Sequence, residues 1–295
     1  MNIPYVAMEG FKFGCDPELF IFDSDDNPVC AEGIIPGDKE NPFPVKSGAV
    51  QVDGMAAEFN IDPVSTFEEF DYNIVTVMKE LKKFLPAGHT LKMLPSVTFT
   101  PDVWKSSPVL SKRLGCTPDF NAWTGGVNLP PNGNKIPRMR TASGHLHIGW
   151  REPDPSNLGD AEHVQHCRDL VKQLDWYLGS WSLQSDHDPV RRSLYGKAGA
   201  CRYKPYGVEY RVLSNFWLKN KSTRQAVWDR MQQAIWDMSS FFVPDQAEAL
   251  MKEKGTNFND LLVESINSSS LPNKLVRPFE FPIITTRHSH MRKYA

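Results

Sequence analysis

Cysteine is scarce in this sequence and scattered: the five residues Cys15, Cys30, Cys116, Cys167 and Cys201 show no CxxC spacing. That argues against a disulfide framework or a cysteine zinc site, and the thiols are expected to be reduced and structural. A long apolar run is missing too. No stretch approaches the ~20 residues of a membrane-spanning helix, and the N-terminal MNIPYVAMEGFKFG lacks the charged and apolar blocks of a signal peptide. The expected location is therefore the cytoplasm, with no membrane partner. Positive charge is not in excess, since 33 Lys and Arg face 35 Asp and Glu. Binding to a nucleic-acid backbone by counterion release is accordingly not expected. Internal repeats, low-complexity tracts and clear linkers are absent, so residues 1–295 read as a single domain. Nothing in the sequence indicates an oligomeric state.

What is present is enough for a full core: 40% of the residues are hydrophobic against 23% charged. KFGCDPELFIF (12–22) and AVQVDGMAAEFNI (49–61) read as strands interrupted by turn residues. Residues 65–85 open with Ser65 and Glu68 as a capping box and carry Phe67, Phe70, Ile74, Met78, Leu81 and Leu85 at helical spacing. A second helix is predicted over about 160–182 and a third over about 222–241. Strands and helices do not alternate regularly, which points to an α+β fold with a largely antiparallel sheet. WTGGVNLPPNGNKIP (123–137) has the composition of a long loop bordering a site, and the basic HSHMRKYA at the C-terminus reads as a solvated tail.

The polar residues of the strand-like segments carry the functional signal. Asp16 and Glu18 in GCDPELF share a face at about 6.7 Å along a strand. At an effective dielectric of about 20 two such charges repel by roughly 2.5 kcal/mol, a cost that cations between them would remove. A solvated edge strand is the alternative for one pair alone. Asp53 and Glu58 sit in the apolar VQVDGMAAEFN, where buried charge needs partners, but they have opposite strand parity, so a turn or bulge at Gly54 must bring them to one face. SGHLHIGW puts His145 and His147 on one side of a strand. PYGVEYRVL adds Glu209 and Arg211, which alone would read as a cross-strand ion pair. Together these hard oxygen ligands and an imidazole suit Mg²⁺ or Mn²⁺ better than a closed zinc site. Carboxylates with arginines nearby are what phosphoryl transfer from a nucleotide requires. RRSLYGKAGACRYKPYGVEYR (191–211) reads as a phosphate-handling loop, in preference to a single-strand nucleic-acid platform.

The order of these segments resembles the carboxylate–amine ligases related to glutamine synthetase and glutamate–cysteine ligase: an acidic pair (GCDPELF), a second acidic strand (VQVDGMAAEFN), a GxHxHxG strand (GHLHIG) and an ExR strand (VEYR). Within that superfamily the chain looks most like the phage amidoligases, the phiEco32-like COOH-NH2 ligases of type 2. The motifs span residues 14–217. The resemblance implies a curved antiparallel sheet with helices on one side, like the glutamine synthetase catalytic domain, holding ATP with two or three Mg²⁺ or Mn²⁺ ions. It implies Glu18, Asp53 and Glu58 at one metal, and Asp16, one histidine and Glu209 at another. His145 is the expected ligand, with His147 a phosphate contact. Arg211 would touch the transferred phosphate, assisted by Arg192, Lys197 and Arg202. The implied reaction joins a small-molecule or peptide carboxylate to an amine through an acyl phosphate, in the host cytoplasm if the chain is phage-encoded. Two rivals stand beside it: a metal-dependent hydrolase using the HLH pair, and a non-catalytic phage binding or structural protein that keeps the fold.

Overall fold

The computed structural model describes residues 10–113, 119–129, 137–186, 188–238, 243–255, 257, 258, 260 and 261. Most of the second half of the proline- and glycine-rich loop, Cys116 and the basic C-terminal tail lie outside the described residues. The chain divides into two compact units, Met1–Pro244 and Asp245–Ala295, and the second carries most of the helix Val243–Lys254.

The first unit is built from antiparallel pairing. β1 (Lys12–Cys15), β2 (Glu18–Phe22), β3 (Pro28–Val29), β4 (Phe43–Val45), β5 (Gly48–Asp53) and β6 (Ala56–Ile61) come first. After α1 (Phe67–Lys82) follow β7 (Thr90–Lys92), β8 (Ser96–Thr98), α2 (Pro101–Ser106), β9 (Phe120–Asn121), β10 (Met139–Thr141) and β11 (Leu146–Gly149). Then come α3 (Ala161–Leu174), α4 (Ser180–Ser182), α5 (Pro189–Leu194), the hairpin β12 (Ala200–Lys204) and β13 (Gly207–Tyr210), and α6 (Lys221–Asp237). One sheet runs β1-β11-β13-β12-β9 and another β3-β2-β6-β5-β4, with β7 also on β2, while β8 and β10 pair together. The fold is α+β and antiparallel, with its strands shared between two main sheets. These are stitched where β1 passes into β2 through Asp16 and Pro17. The Glu18 amide donates to Ser143 O at 2.8 Å, and the Phe59 amide to Pro17 O at 3.2 Å.

Helix α6 packs against both α1 and α3, and the layer lies on the strands, α1 on β5 and β6, α3 on β12 and β13. Trp228 of α6 knits this layer to the sheet, its ring 4.8 Å from that of Phe13 and 5.4 Å from that of Phe70. The apolar stripe of α1 is buried from Phe67 to Leu81 as its spacing predicts, whereas Leu85 falls beyond the helix end and is half-buried, and the cap is shifted by one residue. Thr66 rather than Ser65 accepts from the Glu69 amide, and Glu69 rather than Glu68 reaches back to the Ser65 amide. Two adjacent hydroxyls, Ser65 and Thr66, precede two adjacent glutamates, so the pattern fits either register, and Ser65 is occupied by Lys12 and Phe11 O. The second predicted helix is α3 continued through a π-helical turn, Asp175–Gly179, into α4.

Gly144, the first residue of GHLHIG, is required by close packing. A β-carbon there would lie 2.4 Å from Trp217 Nε1 and 2.5 Å from Ser214 O. Its amide donates to Leu213 O at 3.0 Å, and its carbonyl accepts from Trp217 Nε1 at 3.1 Å. Gly144→Ala is therefore expected to destabilise the chain by about 1–3 kcal/mol through forced displacement, read as a lowered urea midpoint at unchanged slope.

Candidate metal centre

Strand register decides which side chains meet. In the first sheet His147 pairs with Glu209, and Glu209 with Arg202, so these three lie in one row on one face. The preceding row holds Asp16, His145 and Arg211, two residues along and on the same face. In the second sheet Glu18 pairs with Glu58, and Glu58 with Gln51. The hairpin at Gly54 (φ +58°) sets Asp53 opposite Ala56, so odd residues of β5 share a face with even residues of β6. Asp53 and Glu58, of opposite parity in the sequence, thus face the same way.

Two groups of possible ligands result, each with its atoms within 4.8 Å of one another: Asp16, His147 and Glu209, and Glu18, Asp53 and Glu58. Asp16 and Glu18 share a face yet serve different groups, because the seam between the sheets falls between them. His147 Nε2 lies 3.0 Å from Asp16 Oδ1, and His145 Nδ1 lies 3.4 Å from both Asp16 and Glu209. Both imidazoles thus reach the first group, and it is His147, expected as the phosphate contact, that completes it. The Nδ1 of His147 meets the Tyr206 hydroxyl at 2.5 Å, which fixes the ring and turns Nε2 inward. A metal-binding imidazole is commonly held in this way. Tyr206→Phe, which removes only that hydroxyl, is expected to weaken Mn²⁺ binding at this group about 10- to 100-fold, measured by calorimetric titration.

Charge in the site is unbalanced. Glu209, fully buried, is paired with Arg202 at 3.2 Å, Lys204 at 2.8 Å and Arg211. Burial and Asp16 push its carboxyl up, but Arg211 and the two imidazoles hold it well below the usual carboxylate range. Asp16 is likewise held low by His147 and His145 against the effect of burial. Burial pulls His147 down but Asp16 and Glu209 lift it above its ordinary value, whereas burial and Arg211 lower His145. The second group is short of cations: Lys39 reaches Asp53 at 2.8 Å. There burial and the Asp53 charge push Glu18 up to about 8, and burial with Asp16, Asp53 and Glu18 raises Glu58 well above its ordinary value. Carboxyls whose affinity for protons is raised by burial and by one another are carboxyls that a divalent ion would ionise.

The donor set fits such ions. Glu58 Oε2 is buried without a hydrogen-bond partner, and the buried Asp16 Oδ1 and His147 Nε2 have each other at 3.0 Å, with His145 Nδ1 3.4 Å from Asp16. Oxygen donors with one imidazole match Mg²⁺ or Mn²⁺. A cavity of about 860 Å³ opens on Asp16, Glu58, His147 and Tyr206, and extends past Lys12 and Trp150. Its size falls in the range of small-molecule and cofactor sites. A recess of about 70 Å³ adjoins Glu18, Asp53, Asp119, Arg140 and Arg211.

The remaining basic residues divide. Arg202 and Arg211 are in the site. Arg192 bonds Ser182 Oγ at 3.0 Å, Gly196 O at 3.2 Å and Asp186 at 3.3 Å, a set of structural partners behind the strand ends. Lys197 is half-buried in the turn before β12. Lys204, part of the segment read as a phosphate-handling loop but not among the residues expected to assist Arg211, lies two residues from Arg202 and so on the same face. Asp119, which takes Arg211 Nε at 3.1 Å, stands in CTPDFNAW, where no spacing marks it. Tyr206, in the β12–β13 turn, carried no periodic signal either.

Neither a family model nor a curated protein matches this chain. The structure is similar to that of a bifunctional glutathione synthetase from Pasteurella multocida, with a TM-score of 0.42 and 9% identity over 82% of this chain and 43% of that one. The chain spans less than half the length of that synthetase. No helix among the described residues is long and apolar enough to cross a membrane.

Proposed function

We propose that the chain is an ATP-dependent carboxylate–amine ligase that forms an amide through an acyl phosphate. One observation supports it above the rest: two ligand groups share a face, with Asp16 Oδ1, His147 Nε2 and Glu58 Oε2 buried in them, beside three cations, Arg202, Lys204 and Arg211. Asp16, His147 and Glu209 would hold one Mg²⁺ or Mn²⁺ and Glu18, Asp53 and Glu58 another, with His145 beside the first. Bound there, such ions would offset the charge of the nucleotide phosphates. The cavity of about 860 Å³ is the place for the nucleotide, and the 70 Å³ recess does not have room for one.

In the proposed reaction a substrate carboxylate oxygen bonds to the γ-phosphorus as the bond to the β–γ bridging oxygen breaks, releasing ADP. An amine nitrogen then attacks the acyl carbon, the carbon–oxygen bond to phosphate breaks, and the nitrogen loses a proton. Arg211, held by Asp119 and Glu209, presents fixed N–H donors to charge developing on the transferred group, which is where electrostatic stabilisation is most effective. Lys204 and Arg202 add positive charge on the same face.

Phosphate release from ATP with Mg²⁺, assayed against pools of amino acids, small amines, peptides and cell-wall fragments, tests this. Release that requires both an acid and an amine, and that Glu209→Ala abolishes, is expected. Release from phosphate esters without ATP would instead support a metal-dependent hydrolase, and absence of nucleotide binding a structural role.

A further inference from the structure

The face of the first sheet opposite the ligand groups contains a second polar assembly that the proposed chemistry does not use. Asp175 is fully buried at the start of the π-helical turn between α3 and α4. Its Oδ2 accepts from Trp123 Nε1 and from the Gly199 amide, both at 2.6 Å, and its Oδ1 accepts from the Tyr210 hydroxyl at 2.9 Å. These donors come from three separate segments, and each segment frames Arg211. Tyr210 lies between Glu209 and Arg211 and points away from them. Gly199 precedes Ala200, whose carbonyl accepts from the Arg211 amide at 3.0 Å. Trp123 lies in the turn after β9, and Asp119, the residue before β9, accepts from Arg211 Nε at 3.1 Å.

Local geometry is adapted to this clasp. A π-helical turn is rare and tends to occur at functional sites, and here it brings Asp175 and Gly179 together behind Tyr210. A β-carbon at Gly179 would stand 3.1 Å from the Tyr210 hydroxyl, and one at Gly199 would stand 2.8 Å from both Asn121 Oδ1 and Trp123 Cδ1. Glycine at these two positions lets the three segments close on one carboxylate. Burial pushes that carboxyl up to about 7, against its three hydrogen bonds and Arg192, which pull it down. A buried acid retained at this expense is better explained by what it orders than by net stability.

We infer that Asp175 is a positioning residue for Arg211: from behind the sheet it fixes the strand that carries Arg211, the turn before β12 and the Asp119 segment, and so aims the guanidinium into the site. Its role is hydrogen-bonded geometry rather than charge. An asparagine can reproduce that geometry, with its oxygen taking Trp123 and Gly199 and its amide donating to Tyr210; alanine cannot. The nucleotide arm of the test below rests on the ligase reading, and the spectroscopic arm does not.

The experiment records the hydrogen-bonded Nε–H resonance of Arg211 in the full chain, assigned by its loss in Arg211→Lys, and in Asp175→Asn and Asp175→Ala. Each protein, and each combination with Arg211→Ala, is also titrated with Mg²⁺ and AMP-PNP. The resonance is expected to persist in Asp175→Asn and to be lost to solvent exchange in Asp175→Ala. Asp175→Ala should weaken AMP-PNP about tenfold when Arg211 is present and less than about twofold when it is alanine, the non-additivity of coupled residues. A folded Asp175→Ala that keeps the resonance, or whose affinity loss is the same in both backgrounds, would overturn the inference. Should Asp175→Ala fail to fold, Tyr210→Phe removes one of the three bonds and must still shift the resonance. If the wild-type chain binds no AMP-PNP the ligase reading fails, while the resonance still decides the role of Asp175.

Discussion

Arg211→Lys is expected to lower acid- and amine-dependent ATP turnover about 100- to 1,000-fold, the loss that follows removal of one fixed donor from a developing charge. The guanidinium is buried and engages two carboxylates at once, Asp119 through Nε and Glu209 through Nη1. Lysine keeps the charge but has one nitrogen on a flexible stem, and cannot hold both carboxylates while facing a phosphate. The effect should fall on kcat more than on KM for ATP, because the interaction is strongest when charge builds on the transferred group. Mn²⁺ binding by Glu18, Asp53 and Glu58 should be retained, since none of these touches Arg211 directly. A loss below about fivefold in kcat would remove Arg211 from the chemistry.

The second large effect is on stability against pH. The thermal midpoint of the metal-free chain is expected to fall as pH rises from about 6.5 to about 8. Glu18 is raised from 4.5 to about 8 in the folded chain and Glu58 is raised in the same direction. Across this window the folded state retains protons that the unfolded chain has released, so stability declines as pH increases. His147 is raised above 6.5 and Asp175 stands near 7, and both act with the same sign. His145, lowered, acts in the opposite direction, but only below 6.5. The low values of Asp16 and Glu209 belong to the acid limb and add nothing above it. A divalent ion replaces the protons of Glu18 and Glu58, so Mg²⁺ should raise the midpoint more at pH 8 than at pH 6.5, and Glu18→Gln should flatten the slope. Scanning calorimetry across the window, with and without Mg²⁺, measures both. A midpoint that climbs with pH and ignores Mg²⁺ would mean the carboxylates are satisfied without a cation.

The site was more legible in the sequence than the framework behind it. Side chains two apart on strands, Asp16 with Glu18, His145 with His147 and Glu209 with Arg211, announce a shared face because period two survives any register. Asp53 and Glu58 break that period, and only the two-residue hairpin at Gly54 reconciles them. Sequence alone marks that turn without fixing its length. Division of Asp16 and Glu18 between two ligand groups depends on where the sheets are stitched, a long-range property set by Ser143 and Phe59. Asp119, Tyr206 and Asp175 belong to no periodic pattern. Each matters through contacts to residues distant in sequence, and such contacts leave no local trace. The α1 stripe was readable and its cap was one residue displaced, since Ser65-Thr66 and Glu68-Glu69 offer two equivalent boxes.

The most direct test of the central claim is the number of Mn²⁺ ions bound per chain in the presence of AMP-PNP, counted by electron paramagnetic resonance of the free ion. Two ions are expected in the wild type, one in Glu58→Gln and one in His147→Ala. No bound ion in the wild type, or a count that neither substitution changes, would contradict the account.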